Sequence, residues 1–385
     1  MNDYWFYLKK QVYVEFKPKQ VLLYDTDNGG MLLVTDGKMR VLLEEVCNPD
    51  NLGSIPVDEA LCQEAGIREG LQEIADRQMG GLLKQEEGRG KPIALRPLLN
   101  LNKDFEKLAD KPDADIYLKR DIGKYLLNLH ICLNSEDGQT KELDKATLEA
   151  VLAQVAYLPL QTIHFLGGDI YRYSHLDLLK RMSHRQEWHF HTHYANYCPD
   201  DFINSQCLEM TVTFPCDDSR LQYVWQEVKS RRVKVHFILA SLQEWEQAMR
   251  YVDELSIGDY ELHPFYTGQN LGFFEEYVFI DLEDLQARPL SIHEIFRNQK
   301  MNANFFGNLY VEPTGEVKAS RNTTPLGHIG EQSLLDLIYQ ELRENTAWRR
   351  VRNSTPCKDC IYQYLCPPLS EYEQALGRDN LCHIR

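Results

Sequence analysis

The sequence lacks several features that mark large classes of proteins. It has no run of eighteen apolar residues, so no segment is predicted to span a membrane. Its first residues, Met1 to Trp5, lack the basic and apolar regions of a secretory signal peptide. Positive charge is scarce, with 42 Lys and Arg against 58 Asp and Glu residues and a net charge of −16. This charge argues against general binding to nucleic acids or anionic membranes. We therefore expect a cytoplasmic protein.

The cysteines are concentrated at one end of a chain that is otherwise ordinary in composition. The 385 residues suffice for two or three domains, and 43% of them are hydrophobic. Of the ten cysteines, four fall near the C-terminus, and a cysteine cluster in a reducing compartment favours metal binding over disulfides. Their spacing, with two, five and fifteen intervening residues, suits one [4Fe–4S] cluster or a structural zinc ion. The candidate ligands are Cys357, Cys360, Cys366 and Cys382.

Residues 1–85 are predicted to form a small module of strands followed by helices. Three strand-like runs come first, and the Asn28-Gly29-Gly30 turn joins the last two as a hairpin. Helical patterns follow at Lys38–Val46 and Asp58–Gln78, which together with the strands favour a winged-helix-like module. Gly80-Gly81 and the charged stretch that follows are predicted to form a linker. The predicted strands are Gln11–Glu15, Val21–Tyr24 and Gly30–Val34.

Residues 120–280 alternate apolar strands with amphipathic helices. Such alternation predicts right-handed crossovers and a parallel sheet, here a partial (β/α)6 barrel, two strands short of a full eight-fold barrel. The predicted strands are Tyr125–Cys132, Thr162–Leu166, Trp188–Tyr194, Leu208–Phe214, Val233–Leu239 and Tyr260–Phe265. The third domain, 285–385, is predicted to hold a hairpin of Asn308–Glu312 and Val317–Ser320, a helix at Ser333–Arg352, and the cysteine segment.

This order of parts resembles the radical S-adenosylmethionine (SAM) proteins with a C-terminal SPASM or twitch domain. The second barrel strand ends in Gly167-Gly168-Asp169, close to the family's Gly-Gly-Glu at that position. The hairpin that begins at Gly307 is similar to the SPASM entry hairpin. The resemblance assigns the C-terminal quartet to the outer auxiliary cluster of that domain. It therefore implies an α/β barrel with a SPASM/twitch-like cysteine domain.

The chain departs from the family where the catalytic cluster should lie. The family's Cys-x3-Cys-x2-Cys motif aligns with Cys132, Glu136 and Gln139, which leaves one thiol. One thiolate does not hold a [4Fe–4S] cluster, so reductive cleavage of SAM is not expected. The inner auxiliary cluster also lacks ligands, because its cysteines align with non-thiol residues. Those residues are Asn304, Ser320 and Ser370.

This combination is similar to the pseudo-radical-SAM proteins associated with double-glycine-leader peptides in Bacteroidales. The resemblance implies a non-catalytic role in the maturation of a ribosomally made peptide (RiPP). The N-terminal module would bind the leader peptide as an added strand, at the edge of Val12–Phe16 or its neighbour, with Lys38–Val46 as the helical wall. A genuine radical SAM enzyme would be a further partner. Alternatively, the protein could be an electron-transfer partner that feeds such an enzyme through the cluster held by the quartet.

Seven of the twelve histidines fall on predicted barrel strands, which opens another alternative. His189, His191 and His193 alternate along one strand and therefore share one face of the sheet. Imidazoles that converge in a barrel could hold zinc or iron(II) and support an enzyme of a different kind, but hydrogen-bonded barrel lining accounts for them as well. Two further interpretations concern packing: Gly167-Gly168 as a turn that needs positive φ, and the other cysteines as small core residues. These cysteines are Cys47, Cys62, Cys198, Cys207 and Cys216.

Overall fold

A computed structural model of the chain describes residues 3–86, 90–94, 122–135, 141–182 and 185–384. The predicted second and third positions of the catalytic motif, Glu136 and Gln139, lie outside these residues. Fifteen strands are described: β1 Tyr4–Leu8, β2 Val12–Lys17, β3 Gln20–Asp25, β4 Met31–Val34, β5 Ser54–Val57, β6 Gly80–Lys84, β7 Asn128–Cys132, β8 Thr162–Leu166, β9 Glu187–His193, β10 Cys207–Val212, β11 Val233–Leu239, β12 Tyr260–Pro264, β13 Asn308–Val311, β14 Glu316–Lys318 and β15 Gly327–His328.

The α-helices of the described residues, numbered in chain order, are α1 Gly37–Cys47, α2 Glu59–Cys62, α3 Ala65–Asp76, α4 Lys145–Val155, α5 Leu176–Arg181, α6 Asp201–Asn204, α7 Asp218–Val228, α8 Leu242–Leu255, α9 Leu271–Tyr277, α10 Leu282–Ala287, α11 Ile292–Asn298, α12 Leu334–Glu344 and α13 Glu371–Leu376. Among these helices, none has the length and apolarity that a membrane span requires.

A nine-stranded, mostly parallel sheet forms the centre of the molecule. Its order is β12-β11-β10-β9-β8-β7-β13-β14-β15, and the six predicted strands from β7 to β12 are parallel neighbours in chain order. Side-chain caps from Asp144, Asp217 and Ser241 start the helices that return the chain after β7, β10 and β11. The predicted mixed α/β architecture with a parallel six-stranded sheet is confirmed.

The hairpin of the C-terminal region extends this sheet instead of forming a separate layer. β13 pairs in parallel with β7, and β14 pairs antiparallel with β13, so the hairpin prediction is confirmed. The predicted helix Ser333–Arg352 begins at its Ser333 cap but ends at Glu344. It stops there because Asn345 takes a left-handed conformation, and because the buried Glu341 carboxylate accepts the amides of Ala347 and Trp348 at 2.9 and 2.7 Å.

The N-terminal residues form two three-stranded sheets, not the single sheet that was predicted. One sheet has the order β2-β3-β4, with the predicted hairpin at Gly29, and the other has the order β5-β1-β6. The prediction of a linker at Gly80-Gly81 is wrong, since both residues lie in β6 and pair with β1. The predicted helix Asp58–Gln78 is split into α2 and α3, because Glu64 has an extended backbone between them.

The two faces of the β2-β3-β4 sheet pack against different parts of the chain. Val21 and Leu23 point into a core shared with the other N-terminal sheet and helices α1 and α3. Tyr13 and Tyr24 lie on the opposite face and pack against the cysteine segment near Ile361. The tyrosine hydroxyls reach the same region, where Tyr24 Oη accepts the Leu290 amide at 2.7 Å. The N-terminal module is therefore docked on the C-terminal region.

Candidate functional site

The four predicted ligands converge on one small cavity. Cys357, Cys360, Cys366 and Cys382 all line a cavity of about 50 Å³. Cys382 reaches it because its backbone bridges to Ile280, and the His383 amide donates to the Ile280 carbonyl at 2.9 Å. Burial raises the pKa of the Cys366 thiol to about 12 and also raises the pKa of the Cys360 and Cys382 thiols. Metal binding at this site would therefore have to displace protons.

The separation of these sulfurs bears on the kind of metal site. In the described part of the chain, two groups of at least three ligand-type residues have their ligand atoms within 4.8 Å of one another. The cysteine quartet is not one of these two groups. Tetrahedral zinc with Zn–S bonds of about 2.3 Å needs sulfurs about 3.8 Å apart. A cubane cluster holds its thiolates farther apart, because each binds a different iron. The four thiols therefore supply a complete donor set for a cluster, and also for zinc once their side chains turn toward one ion.

A buried ion pair supports the cysteine segment. Arg352 and Glu373 are joined at 2.7 Å, and the side chain of each is only 6% exposed. Arg352 Nε also donates to the Pro367 carbonyl at 2.6 Å, and Nη1 lies 3.9 Å from Cys357 Sγ. The guanidinium therefore fixes the chain directly after Cys366 and faces one of the four sulfurs.

The N-terminal module contributes a second support to the same segment. Lys17, the last residue of β2, donates to the Lys358 carbonyl at 2.8 Å and to Gln363 Oε1 at 2.7 Å. Gln363 in turn donates to the Arg352 carbonyl at 2.7 Å. The loop between Cys357 and Cys366 is therefore held from both sides by hydrogen bonds that the sequence alone did not indicate.

The carboxyl end of the parallel sheet holds a different cavity, of about 290 Å³. Ligands of α/β sheets bind at this end of the strands. Cys132 is the single thiol among the described residues that line it; the others are Asn134, Ser135, Gly167, Glu312, Pro313 and Arg321. Asn134, which sequence reasoning missed, donates from Nδ2 to the Asp169 carbonyl at 2.7 Å and so shapes the loop after β8.

The interpretation of Gly167-Gly168 as a turn that needs positive φ is wrong. Neither glycine has a positive φ. Gly167 is required for close approach instead, since an added Cβ would lie 2.1 Å from Asn134 Oδ1. The following Asp169 caps a short 3₁₀ helix through its carboxylate, which accepts the Tyr171 amide at 3.1 Å.

The positions aligned with the inner auxiliary cluster are used for ordinary packing. Asn304 Nδ2 donates to the Leu369 carbonyl at 3.0 Å, directly before Ser370. Ser370 caps α13, and its amide donates to Glu373 at 2.9 Å. Ser320 is fully buried. The side chains of Asn304 and Ser370 make hydrogen bonds that a cysteine would not make, since Ser370 Oγ also accepts the Tyr372 amide at 3.2 Å, whereas the buried Ser320 hydroxyl has no hydrogen-bond partner among the described residues.

Seven histidines lie on one face of the central sheet, and we call six of them the histidine row; the seventh, His193, lies at the end of β9 and bonds to Thr213. The members of the row are His130, His164, His189, His191, His236 and His263. They share this face because Trp188 and Phe190, which alternate with them along β9, are buried against the helices. His130 stacks on Tyr310 and on His164, with ring centroids 4.3 and 4.6 Å apart.

A buried carboxylate links the two halves of the histidine row. Glu209 Oε1 lies 2.6 Å from His189 Nδ1, and Glu209 Oε2 lies 2.6 Å from His236 Nε2. Burial alone would raise the pKa of Glu209, but the hydrogen bonds from the two imidazoles outweigh it and hold the pKa below its usual range. The carboxylate is therefore ionised, and each imidazole turns a protonated nitrogen toward it.

The deeper histidines are held neutral. Burial lowers the pKa of His130 to about 3 and that of His164 to about 4, and it lowers the pKa of His191 well below 6.5. His164 Nδ1 and His191 Nε2 lie 2.9 Å apart, so one ring donates to the other. Neutral imidazoles are metal ligands as well as hydrogen-bonding groups.

The remaining cysteines only partly match the prediction of small core residues. Cys62 and Cys207 are buried and Cys47 and Cys216 are half-buried, but Cys198 is exposed. Cys207 also has chemical neighbours, since its thiol lies 3.3 Å from Glu187 Oε1 and close to His189. Its position at the start of β10, opposite His189, explains this grouping.

Comparison with known proteins finds likeness in structure only. No family model matches the chain, and no curated protein sequence matches it. The chain is similar to Streptococcus suis SuiB bound to S-adenosylmethionine, with 12% identity over 97% of each chain and a TM-score of 0.49. It is also similar to SuiB bound to its precursor peptide SuiA, with 11% identity over 97% of each chain and a TM-score of 0.47. With TM-scores below 0.5, neither SuiB ligand is assigned to this chain.

Proposed function

We propose that this protein binds the leader of a ribosomally made peptide without cleaving S-adenosylmethionine itself. The proposal of peptide binding is based on the edge of the β2-β3-β4 sheet at β4. Among the described strands, β4 pairs with β3 alone. An extended peptide can add to such an edge through main-chain hydrogen bonds. Leu33 of β4 leaves 43% of its surface exposed there, as an apolar contact for the added strand.

The β4 edge suits a peptide better than the β2 edge that the sequence favoured. At the end of β2, Arg40 of α1 donates to the Lys17 carbonyl at 2.5 Å, and the Lys17 side chain is bonded to the cysteine segment. At β4, helix α3 lies alongside, and Arg77 directly after it donates to the carbonyl of Met31, the first residue of β4, at 2.9 Å, so a peptide would pair with the residues after Met31. A peptide strand at β4 would therefore have α3 as its helical wall.

The proposal that the protein does not cleave S-adenosylmethionine is based on the cavity at the carboxyl end of the parallel sheet. The cavity there offers Cys132 as its one thiol among the described lining residues, against three in a catalytic cluster. The C-terminal quartet, in contrast, would hold one [4Fe–4S] cluster in a structural role. Zinc remains the alternative ion, and a true radical SAM enzyme would act on the presented peptide.

Binding is tested with the full chain and each small double-glycine-leader peptide encoded beside it, by isothermal titration calorimetry. We expect one peptide per chain for the wild type and loss of binding in Leu33→Asp. The matched control is Leu82→Asp, since Leu82 is a 39% exposed leucine on the edge strand of the other N-terminal sheet. Absence of binding to every such peptide, or equal binding by both variants, would contradict the proposed edge.

The metal content is tested on anaerobically purified and reconstituted protein. One cluster predicts about four irons and four sulfides per chain. About eight irons would show that a second cluster forms and that the account of the lost clusters is wrong. A zinc-only preparation after iron reconstitution would assign the quartet to zinc and would also exclude an electron-transfer role for it.

A further inference from the structure

A second set of ligand-type residues meets at the open edge of the central sheet, away from the cysteine quartet. His236 on β11 and Glu261 and His263 on β12 place one ligand atom each within 4.8 Å of one another. His236 Nδ1 lies 2.8 Å from His263 Nε2 and 3.6 Å from Glu261 Oε2, and His263 Nε2 lies 3.4 Å from the same oxygen. Two imidazoles and one carboxylate therefore form a compact triangle.

The size of this triangle matches a first-row transition metal. Metal–ligand bonds of about 2.0–2.1 Å in a tetrahedral site require ligand atoms about 3.3 Å apart. The three edges of the triangle are 2.8, 3.4 and 3.6 Å, so they bracket that value, and the shortest edge is a hydrogen bond between the two imidazoles that the ion would replace. A set of two histidines and one carboxylate leaves a coordination position open for water or another ligand.

The outer partner of His236 prepares it for this role. His236 Nε2 lies 2.6 Å from a carboxylate oxygen of the buried Glu209, and that oxygen accepts a hydrogen bond from the ring N–H. Because that nitrogen carries the proton, the lone pair of the neutral ring lies on Nδ1, which faces the triangle. Ligating histidines commonly donate their other ring N–H to a carboxylate, which fixes the tautomer and raises the basicity of the ligand.

The charges around the triangle leave one carboxylate oxygen for the ion. Lys234 Nζ contacts Glu261 Oε1 at 2.5 Å, so the lysine engages the oxygen that is not part of the triangle. Glu261 and His263 are 47% and 38% exposed in their side chains, so an ion can reach the site from solvent.

A second group, formed by Glu187, His189 and Cys207, is less suited to an ion. The Glu187 oxygen nearest to Cys207 is already bonded to Arg232, and the other oxygen lies 3.8 Å from His189 Nε2. A metal there would compete with a guanidinium for the same carboxylate. This group therefore serves as the internal control for the first one.

We infer that His236, Glu261 and His263 bind one divalent first-row transition metal ion, with Glu209 as the positioning residue that orients His236. The site is independent of the cysteine quartet and of peptide binding at β4.

The test uses the full chain with its C-terminal quartet filled beforehand, dialysed against Zn²⁺ alone and analysed for metal by mass spectrometry. We expect one additional Zn²⁺ per wild-type chain, and loss of this ion in His263→Ala and in the nearly isosteric Glu261→Gln. His293→Ala, at an exposed histidine outside the row, and Cys207→Ser should retain it. Glu209→Gln should weaken affinity about 10- to 100-fold, as other outer-shell substitutions do.

Three results would overturn the inference. The first is no additional ion in the wild type, and the second is an additional ion that survives both His263→Ala and Glu261→Gln. The third is an ion lost in Cys207→Ser but kept in His263→Ala, which would place it at the other group. Circular dichroism of each variant separates loss of the ion from loss of the fold, and Glu261→Gln provides the second variant if His263→Ala unfolds.

Discussion

Replacement of Arg352 should destabilise the cysteine segment far more than replacement of an exposed arginine. Arg352 and Glu373 form an ion pair with 6% exposure of each side chain, so Arg352→Met leaves a buried carboxylate without its counter-ion. Breaking such a pair from one side costs about 3–5 kcal/mol. The Pro367 carbonyl also loses its 2.6 Å donor. For the 68% and 22% exposed pair of Arg288 and Glu294, the corresponding cost is about 0–1 kcal/mol.

Hydrogen exchange measured by mass spectrometry over residues 353–382 gives the local opening free energy of this segment. Both variants, Arg352→Met and Arg288→Met, are compared at equal metal content, because a bound metal adds its own stabilisation. The double variant Arg352→Met/Glu373→Gln removes the orphaned charge and should recover a large part of the loss. Equal and small effects of the two single variants would show that the buried pair does not hold the segment together.

Three further predictions concern other parts of the molecule. Burial lowers the pKa of His130 to about 3, so between about pH 6.5 and 3 the unfolded chain binds a proton that the folded chain does not, and the free energy of unfolding decreases as the pH decreases. His130→Phe should reduce this dependence by up to about 1.4 kcal/mol per pH unit, measured by urea titrations at pH 4–7. Gly167→Ala should cost about 1–3 kcal/mol by clashing with Asn134, whereas Gly258→Ala, in open space, should cost less than about 0.5 kcal/mol. Lys17→Met should speed alkylation of Cys360, measured by mass spectrometry, because the loop loses two hydrogen bonds; an unchanged rate would contradict the docking role of Lys17.

The parallel sheet could be predicted because its signals are local. Each strand from β7 to β12 is a short apolar run, and a helical pattern with its own cap follows most of them. The N-terminal sheet with β1 and β6 was missed because Gly80-Gly81 looks like a linker in sequence. In the structure Gly80 lies so close to β1 that a Cβ would be 2.2 Å from the Tyr7 carbonyl oxygen. The glycine is required there by tertiary contact, which no local pattern reveals.

The candidate sites were also predictable only as far as their residues form a local pattern in the sequence. The quartet spacing is local, and all four residues do line one cavity. The alternation of His189 and His191 placed them on one face, but Glu209, which bonds to His189, lies between the buried Leu208 and Met210 of a different strand. An acidic residue inside an apolar strand was the available signal. The two imidazoles that bond to Glu209 lie on the two strands beside it, so this bridge could be predicted only from the register of the sheet.

The docked position of the N-terminal module links the two halves of the proposed function. The sheet that offers the β4 edge packs its other face on Ile361, and its Lys17 holds the loop between Cys357 and Cys366. A peptide that restrains this sheet would then also restrain the cysteine segment through these contacts. Such coupling is reciprocal: the factor by which a filled quartet raises peptide affinity equals the factor by which bound peptide raises metal affinity. A structural cluster in this position would therefore regulate peptide capture without taking part in chemistry.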